Sequence, residues 1–186
     1  MKKKDWLDFV FQGHLTKAKG IGELIKVLAK IDQNYKNWKL TIIGSGPFEK
    51  ELRELSQGDS LGEKVKFLGR LSNKQTLAKM VNFDVGVALY DKNDKYTQFC
   101  DPLKVKEYIA CGLAVLINNV PPIAELVEKE RIGLVVSLES ELELEKSLVK
   151  LITNKKLLKK FKSRTESLVS KFDWNYIYDR AFREMT

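Results

Sequence analysis

The stretch Asp101-Pro102-Leu103-Lys104-Val105-Lys106-Glu107-Tyr108-Ile109-Ala110-Cys111-Gly112 holds the residues best placed to do chemistry. It reads as a short helix with Asp101 as N-cap, Pro102 at the first helical position and Gly112 just past the end. A helix N-terminus offers unpaired N–H groups and the positive end of the dipole, so it accepts an anion. Lys104 in the first turn opposes that dipole, which points to an anionic partner. Glu107, one turn on, can accept hydrogen bonds from a sugar hydroxyl. The plain alternative is a surface pair: Lys104 and Glu107 are three apart on one face and can meet in solvent. Asp101 can likewise neutralise the helix start with no ligand present.

Three other turns carry chemical content. Gly13-His14-Leu15-Thr16-Lys17-Ala18-Lys19-Gly20 joins a strand end to a helix start and supplies basic side chains at His14, Lys17 and Lys19. Lysine at such a turn suits a phosphate, and the alternative is a solvated loop lysine. Ile43-Gly44-Ser45-Gly46-Pro47 begins like a dinucleotide fingerprint, but Glu49 stands where the third glycine belongs, which argues against NAD or FAD. Gly44 and Gly46 either admit a ligand closely or shape the turn. Phe67-Leu68-Gly69-Arg70-Leu71-Ser72 ends another strand, where backbone groups can read a nucleobase edge or form an ordinary turn.

The elements that must position these turns alternate along the chain. Apolar strand-like runs fall at 9–11, 40–43, 65–68, 84–89, 113–117 and 134–136. Helical patterns separate them, and Ser72 to Gln75 has capping-box spacing. This order predicts an α/β fold: a doubly wound, Rossmann-like parallel sheet with helices on both faces. Ligands of such sheets bind outside the carboxyl ends of the strands, where Gly13, Gly44, Gly46 and Gly69 lie. With 186 residues the chain reads as one domain.

Composition removes several classes. Cys100 and Cys111 are the only cysteines and His14 the only histidine, which leaves a cysteine-built metal site unsupplied and a Ser-His-Asp triad poorly supplied. No metal and no cofactor are expected. No apolar run approaches the ~18 residues of a membrane span. Asp5-Trp6-Leu7-Asp8 interrupts any signal core after the basic start, so a cytoplasmic location is expected. The net charge of +8 concentrates in Lys146 to Arg164, where apolar residues at helical spacing put the lysines on wet faces. A weak attraction to anionic headgroups at the inner face of a membrane is the next reading. No aromatic–basic platform of the nucleic-acid-binding kind accompanies the charge.

Taken in order, Gly-His-Leu-x-x-x-Lys-Gly, Ile-Ile-Gly-x-Gly-Pro, Phe-Leu-Gly-Arg and Pro-Leu-Lys-x-x-Glu-Tyr-Ile-Ala-x-Gly resemble the C-terminal half of GT-B glycosyltransferases, most closely retaining family 4. The resemblance covers nearly the whole chain and implies a nucleotide-sugar donor site. Lys19 matches the lysine that holds the donor diphosphate, and Glu107 the glutamate that binds the ribose. Gly69 and Arg70 match the segment beside the base, Gly44 and Gly46 the second turn, and Leu103 and Lys104 the helix start that faces the phosphates. His14 stands where many members have arginine. Phe99 stands where many have a glutamate that contacts the sugar. The family's N-terminal acceptor domain has no counterpart here, so the resemblance implies a fragment or a subunit that needs a partner, inactive alone. It also implies a donor-binding domain over 1–186 with a closing helix over 172–186. The implied activity is sugar transfer to a glycan or lipid-linked acceptor in cell-surface polysaccharide or lipopolysaccharide synthesis. A non-catalytic interaction module with a decayed donor site is the alternative, and a basic nucleic-acid binder the remaining one.

Overall fold

The computed structural model describes residues 5–57 and 61–169. Six strands form one parallel sheet: β1 (Leu7–Gln12), β2 (Trp38–Ile43), β3 (Val65–Gly69), β4 (Val85–Ala88), β5 (Ala114–Asn118) and β6 (Gly133–Val136), in the order β3-β2-β1-β4-β5-β6. This is the doubly wound arrangement expected from the alternation, and the winding reverses between β1 and β4. The helices are α1 (Ile21–Ile31), α2 (Glu49–Leu55), α3 (Asn73–Met80), the single turn α4 (Lys95–Gln98), α5 (Leu103–Ala110), α6 (Ile123–Lys129), α7 (Glu141–Thr153) and α8 (Lys155–Val169).

Each strand side chain points to the opposite face from its neighbour, so a sheet covered on both faces needs apolar residues throughout. Phe9 and Phe11 of β1 enter the core under α1 and α7, while Val10 enters the core under α5 and α6. The helix α8 joins both cores through Phe161 and Leu168. Its Lys162 Nζ lies 3.0 Å from Asp84 Oδ1, and Asp84 Oδ2 accepts from the Asp8 N–H. Lys155, Lys156, Lys159 and Lys160 are exposed, the wet face read from the pattern. Among the described residues no helix is long and apolar enough to cross a membrane. The expected closing helix at 172–186 lies outside the described residues.

Local signals hold in part. Ser72 and Gln75 form the expected capping box of α3. The start of α5 needs correction: Pro102, not Asp101, occupies the N-cap, with extended backbone and no side-chain cap. Asp101 pairs with Lys106 instead. Gly112 does sit past the helix end with φ +72°, the left-handed conformation that favours glycine there. Phe48, just after Pro47, takes the N-cap position of α2.

Candidate functional site

The site lies at the carboxyl ends of β1 and β4, where the sheet reverses and the flanking loops part. The loops after β1 and β2 meet through their backbones. The Gly13 N–H donates to Ile43 O at 2.9 Å, Leu15 N–H to Ser45 O at 3.0 Å and Phe48 N–H to Leu15 O at 3.1 Å. A Cβ on Gly44 would stand 1.9 Å from Gly13 O, and one on Gly46 would stand 2.3 Å from Leu15 O. Both glycines therefore let two loops touch, the turn-shaping role of the two left open by the sequence. Gly69 has φ +67° with open space around it, so its backbone conformation and not crowding selects glycine. Arg70 beyond it is exposed.

The 3₁₀ turn Lys17–Lys19 carries Lys19 toward the gap. Lys17 turns outward and pairs with Glu51 at 3.4 Å. Lys19 Nζ lies 5.1 Å from the centroid of the Tyr90 ring, at the end of β4. Lys104, from α5, lies 5.3 Å from the same ring and 4.2 Å from that of Phe11. Neither lysine has an ion-pair partner among the described residues, so the solvent pair Lys104–Glu107 is not formed. Burial pushes the Lys104 ammonium down to about 7, and the nearby Lys19 charge adds to the effect; Cys100 and Glu107 oppose it. Two cations beside one aromatic ring, with no carboxylate in ion-pair contact among the described residues and Asp94 and Glu107 acting on them only from farther off, make a seat for an anion.

What holds α5 in place is Tyr108. Its hydroxyl donates to Val87 O at 3.1 Å and accepts from the Gln12 N–H at 3.1 Å, joining β4 to β1. Its ring covers Gly86, where a Cβ would stand 2.2 Å away. Burial pushes the Tyr108 phenol up, so it stays a neutral donor. From this anchored helix Glu107 projects, half-buried, with its Oε1 3.5 Å from Asn73 Nδ2 at the start of α3. Leu103 opens α5 and is 63% exposed. His14 is exposed, with Nδ1 2.9 Å from Ser45 O. That carbonyl can only accept, so Nδ1 carries a proton and donates it. Phe99 is 85% exposed.

Two residues escaped the sequence reading. Asn118, the last residue of β5, clasps the Tyr90 backbone: its Oδ1 accepts from Tyr90 N–H at 3.1 Å and its Nδ2 donates to Tyr90 O at 2.7 Å. Both residues are buried, and the clasp fixes the ring on which both lysines rest. Their signal in the sequence was slight, a polar residue closing each of two apolar runs. Beside Tyr90 a cavity of about 720 Å³ opens between the ends of β4, β5 and β6, with Phe99, Asn119 and Ser137 in its wall.

The sequence and the fold are similar to those of known proteins. The model of the family described as glycosyl transferases group 1 matches residues 2–168. An uncharacterized glycosyltransferase of Haemophilus influenzae is 30% identical over 150 residues, 78% of this chain and 39% of the relative. The C-terminal domain of LpcC, a glycosyl transferase group 1 family protein from Francisella tularensis, superposes with a TM-score of 0.76 at 20% identity, covering 92% of this chain and 93% of that domain. Anabaena HepE, solved in complex with UDP and glucose, gives a TM-score of 0.75 at 21% identity, covering 97% of this chain and 48% of its own. The chain thus spans less than half the length of the Haemophilus and Anabaena proteins. With a family model over most of its length and the GT-B form of the doubly wound sheet, this chain belongs to the glycosyl transferases group 1 family.

Proposed function

We propose that the chain is the C-terminal, donor-binding half of a retaining sugar transferase, and that the gap between β1 and β4 takes the nucleoside diphosphate of a nucleotide sugar. One observation carries this reading: Lys19 and Lys104 converge on Tyr90 with no carboxylate in ion-pair contact among the described residues. Lys19 and Lys104 hold the diphosphate by charge-assisted hydrogen bonds. Glu107 accepts from the ribose hydroxyls, and Gly69 and Arg70 flank the base. The cavity beside Tyr90 is the space for the sugar. The UDP bound by Anabaena HepE supports the donor class.

In the transfer, the bond between the sugar carbon and the terminal phosphate oxygen breaks, and negative charge gathers on the leaving diphosphate. Ammonium groups already in place stabilise that charge without reorganising, the largest single contribution in many such sites. This reading gives the task to Lys19 and Lys104 and calls for no metal. Catalysis then needs an acceptor domain or partner subunit across the gap, so the chain alone binds nucleotide and transfers nothing. The acceptor is a glycan or lipid-linked glycan of cell-surface synthesis, and the exposed lysines of α8 give a weak hold on anionic lipid at the inner membrane face.

Calorimetric titration of UDP, GDP and ADP tests the donor site. At least one is expected to bind with a micromolar to millimolar constant, and Lys19→Ala is expected to weaken it by about tenfold or more, the loss of one charge-assisted contact. Absence of binding by all three at millimolar concentration, in folded protein, would refute the reading. A second reading, a non-catalytic module with a decayed site, draws on the exposed Phe99 and on His14, whose Nδ1 is engaged by Ser45. Transfer activity on joining the chain to an acceptor domain of the family would rule it out.

A further inference from the structure

Two ammonium groups resting on one tyrosine ring repel each other, and each needs either water or a counter-charge. The groups that face Lys104 come from four elements. The 3₁₀ turn supplies the Lys19 cation, on which Asp94 acts in turn without ion-pair contact; the end of β4 supplies Tyr90, whose phenol burial keeps neutral; the segment before α5 supplies Cys100; and α5 itself supplies Glu107. The strand β1 contributes only Phe11 and the backbone at Gly13, where a Cβ would stand 3.2 Å from Lys104 Nζ. The ammonium of Lys104 is thus held between two aromatic rings and a glycine backbone, beside a like charge, with no carboxylate in ion-pair contact among the described residues.

We propose that this pair takes up one proton when a nucleoside diphosphate arrives and returns it when the diphosphate leaves, with Lys104 the group that changes charge. In the empty site the Lys104 amine gives its proton to solvent, which relieves the repulsion from Lys19. The incoming phosphates supply the missing counter-charge, so Nζ regains a proton from solvent and donates to them as an ammonium. The downward displacement of Lys104 to about 7 by burial and by Lys19 agrees with this exchange. Affinity for a nucleoside diphosphate therefore falls as pH rises above 7, and the proton returns as the product leaves. The inference rests on the donor-site reading above and fails separately from it.

The test is calorimetric titration of UDP, GDP and ADP into the full chain at pH 8, without divalent ions, in two buffers of different ionisation enthalpy. At that pH the terminal phosphate is already ionised, and a group that titrates near 7 is about nine-tenths neutral, so about 0.9 proton is expected to be taken up per nucleotide bound. The Lys104→Arg protein, whose guanidinium keeps its charge, is expected to bind and take up none. If the arginine variant does not fold, the unmodified chain carries the test alone: its uptake should fall from about 0.9 proton at pH 8 to about one-tenth at pH 6, where Lys104 is already charged. Binding with no uptake at pH 8, or equal uptake by the unmodified and substituted proteins, overturns the inference and leaves the donor site intact. No binding by any of the three nucleotides overturns both.

Discussion

If the proposed donor site lies at Tyr90, the clasp between Asn118 and Tyr90 links stability to nucleotide binding, and its removal should be felt in both. In Asn118→Ala the two hydrogen bonds of 3.1 and 2.7 Å vanish, and Tyr90 keeps a backbone N–H and C=O with no other partner among the described residues. Tyr90 is 1% exposed and Asn118 2%, so water reaches these groups only through the space the amide leaves. Each stranded buried group costs about 1–3 kcal/mol, which sums to about 2–6 kcal/mol for the pair. For a domain of this size that is a fall in Tm of about 4–24 °C. The Tyr90 ring seats Lys19 and Lys104, so nucleotide affinity should fall by about tenfold even where the variant is fully folded, an amount set by one misplaced charge-assisted contact. Urea denaturation followed by circular dichroism gives the first quantity, and nucleotide titration well below the unfolding midpoint gives the second. A stability loss under about 1 kcal/mol would refute the satisfaction argument. Lost stability with unchanged affinity would refute the link from clasp to lysines.

Four further substitutions have expected outcomes. Gly44→Ala should destabilise by about 3 kcal/mol or more, because its Cβ would stand 1.9 Å from Gly13 O at φ +137°. Gly69→Ala, with open space at φ +67°, should lose only about 1–2 kcal/mol; denaturation midpoints in the reverse order would contradict the packing account. Lys104→Met should stabilise the unliganded chain by about 1–2 kcal/mol at pH 6, discounted for the water that the half-buried side chain keeps, while abolishing most nucleotide binding. Lys104 is displaced down from 10.5 to about 7, so between those values the unfolded chain binds more protons, and the unmodified protein gains stability as pH rises. The advantage of the methionine should therefore shrink across that window in thermal melts, and a constant advantage would argue against the displaced amine. Glu107→Gln should weaken nucleotide binding by about tenfold with little change in stability, since its contact to Asn73 is long at 3.5 Å; equal affinity would remove its ribose role.

Much of the site was legible because its parts are local. Capping residues, glycines after strands and lysines at turns act within a few positions, so the turns at 13–20, 43–47 and 67–72 and the helix carrying Glu107 could be read directly. The failures were also local in origin. Asp101 is a better side-chain cap than proline in isolation, but its carboxylate finds Lys106, and the chain enters α5 through Pro102. The pairing of Lys104 with Glu107 is reasonable for an isolated helix. In the folded chain, Tyr108 anchors α5 and Lys104 reaches Phe11 and Tyr90, away from any such pair.

The sequence by itself determined that this is a parallel α/β domain, since strands buried on both faces must be apolar throughout and must be separated by amphipathic helices. It also determined which turns carry basic groups and which residues resemble a donor site. Only the tertiary structure decided that the sheet reverses between β1 and β4, that Lys19 and Lys104 share one ring, and that Asn118 holds that ring. Those relations join residues far apart in the chain. Periodicity and capping report the environment of each segment, whereas the charge left unpaired at Tyr90 depends on which distant segments the strand order brings together.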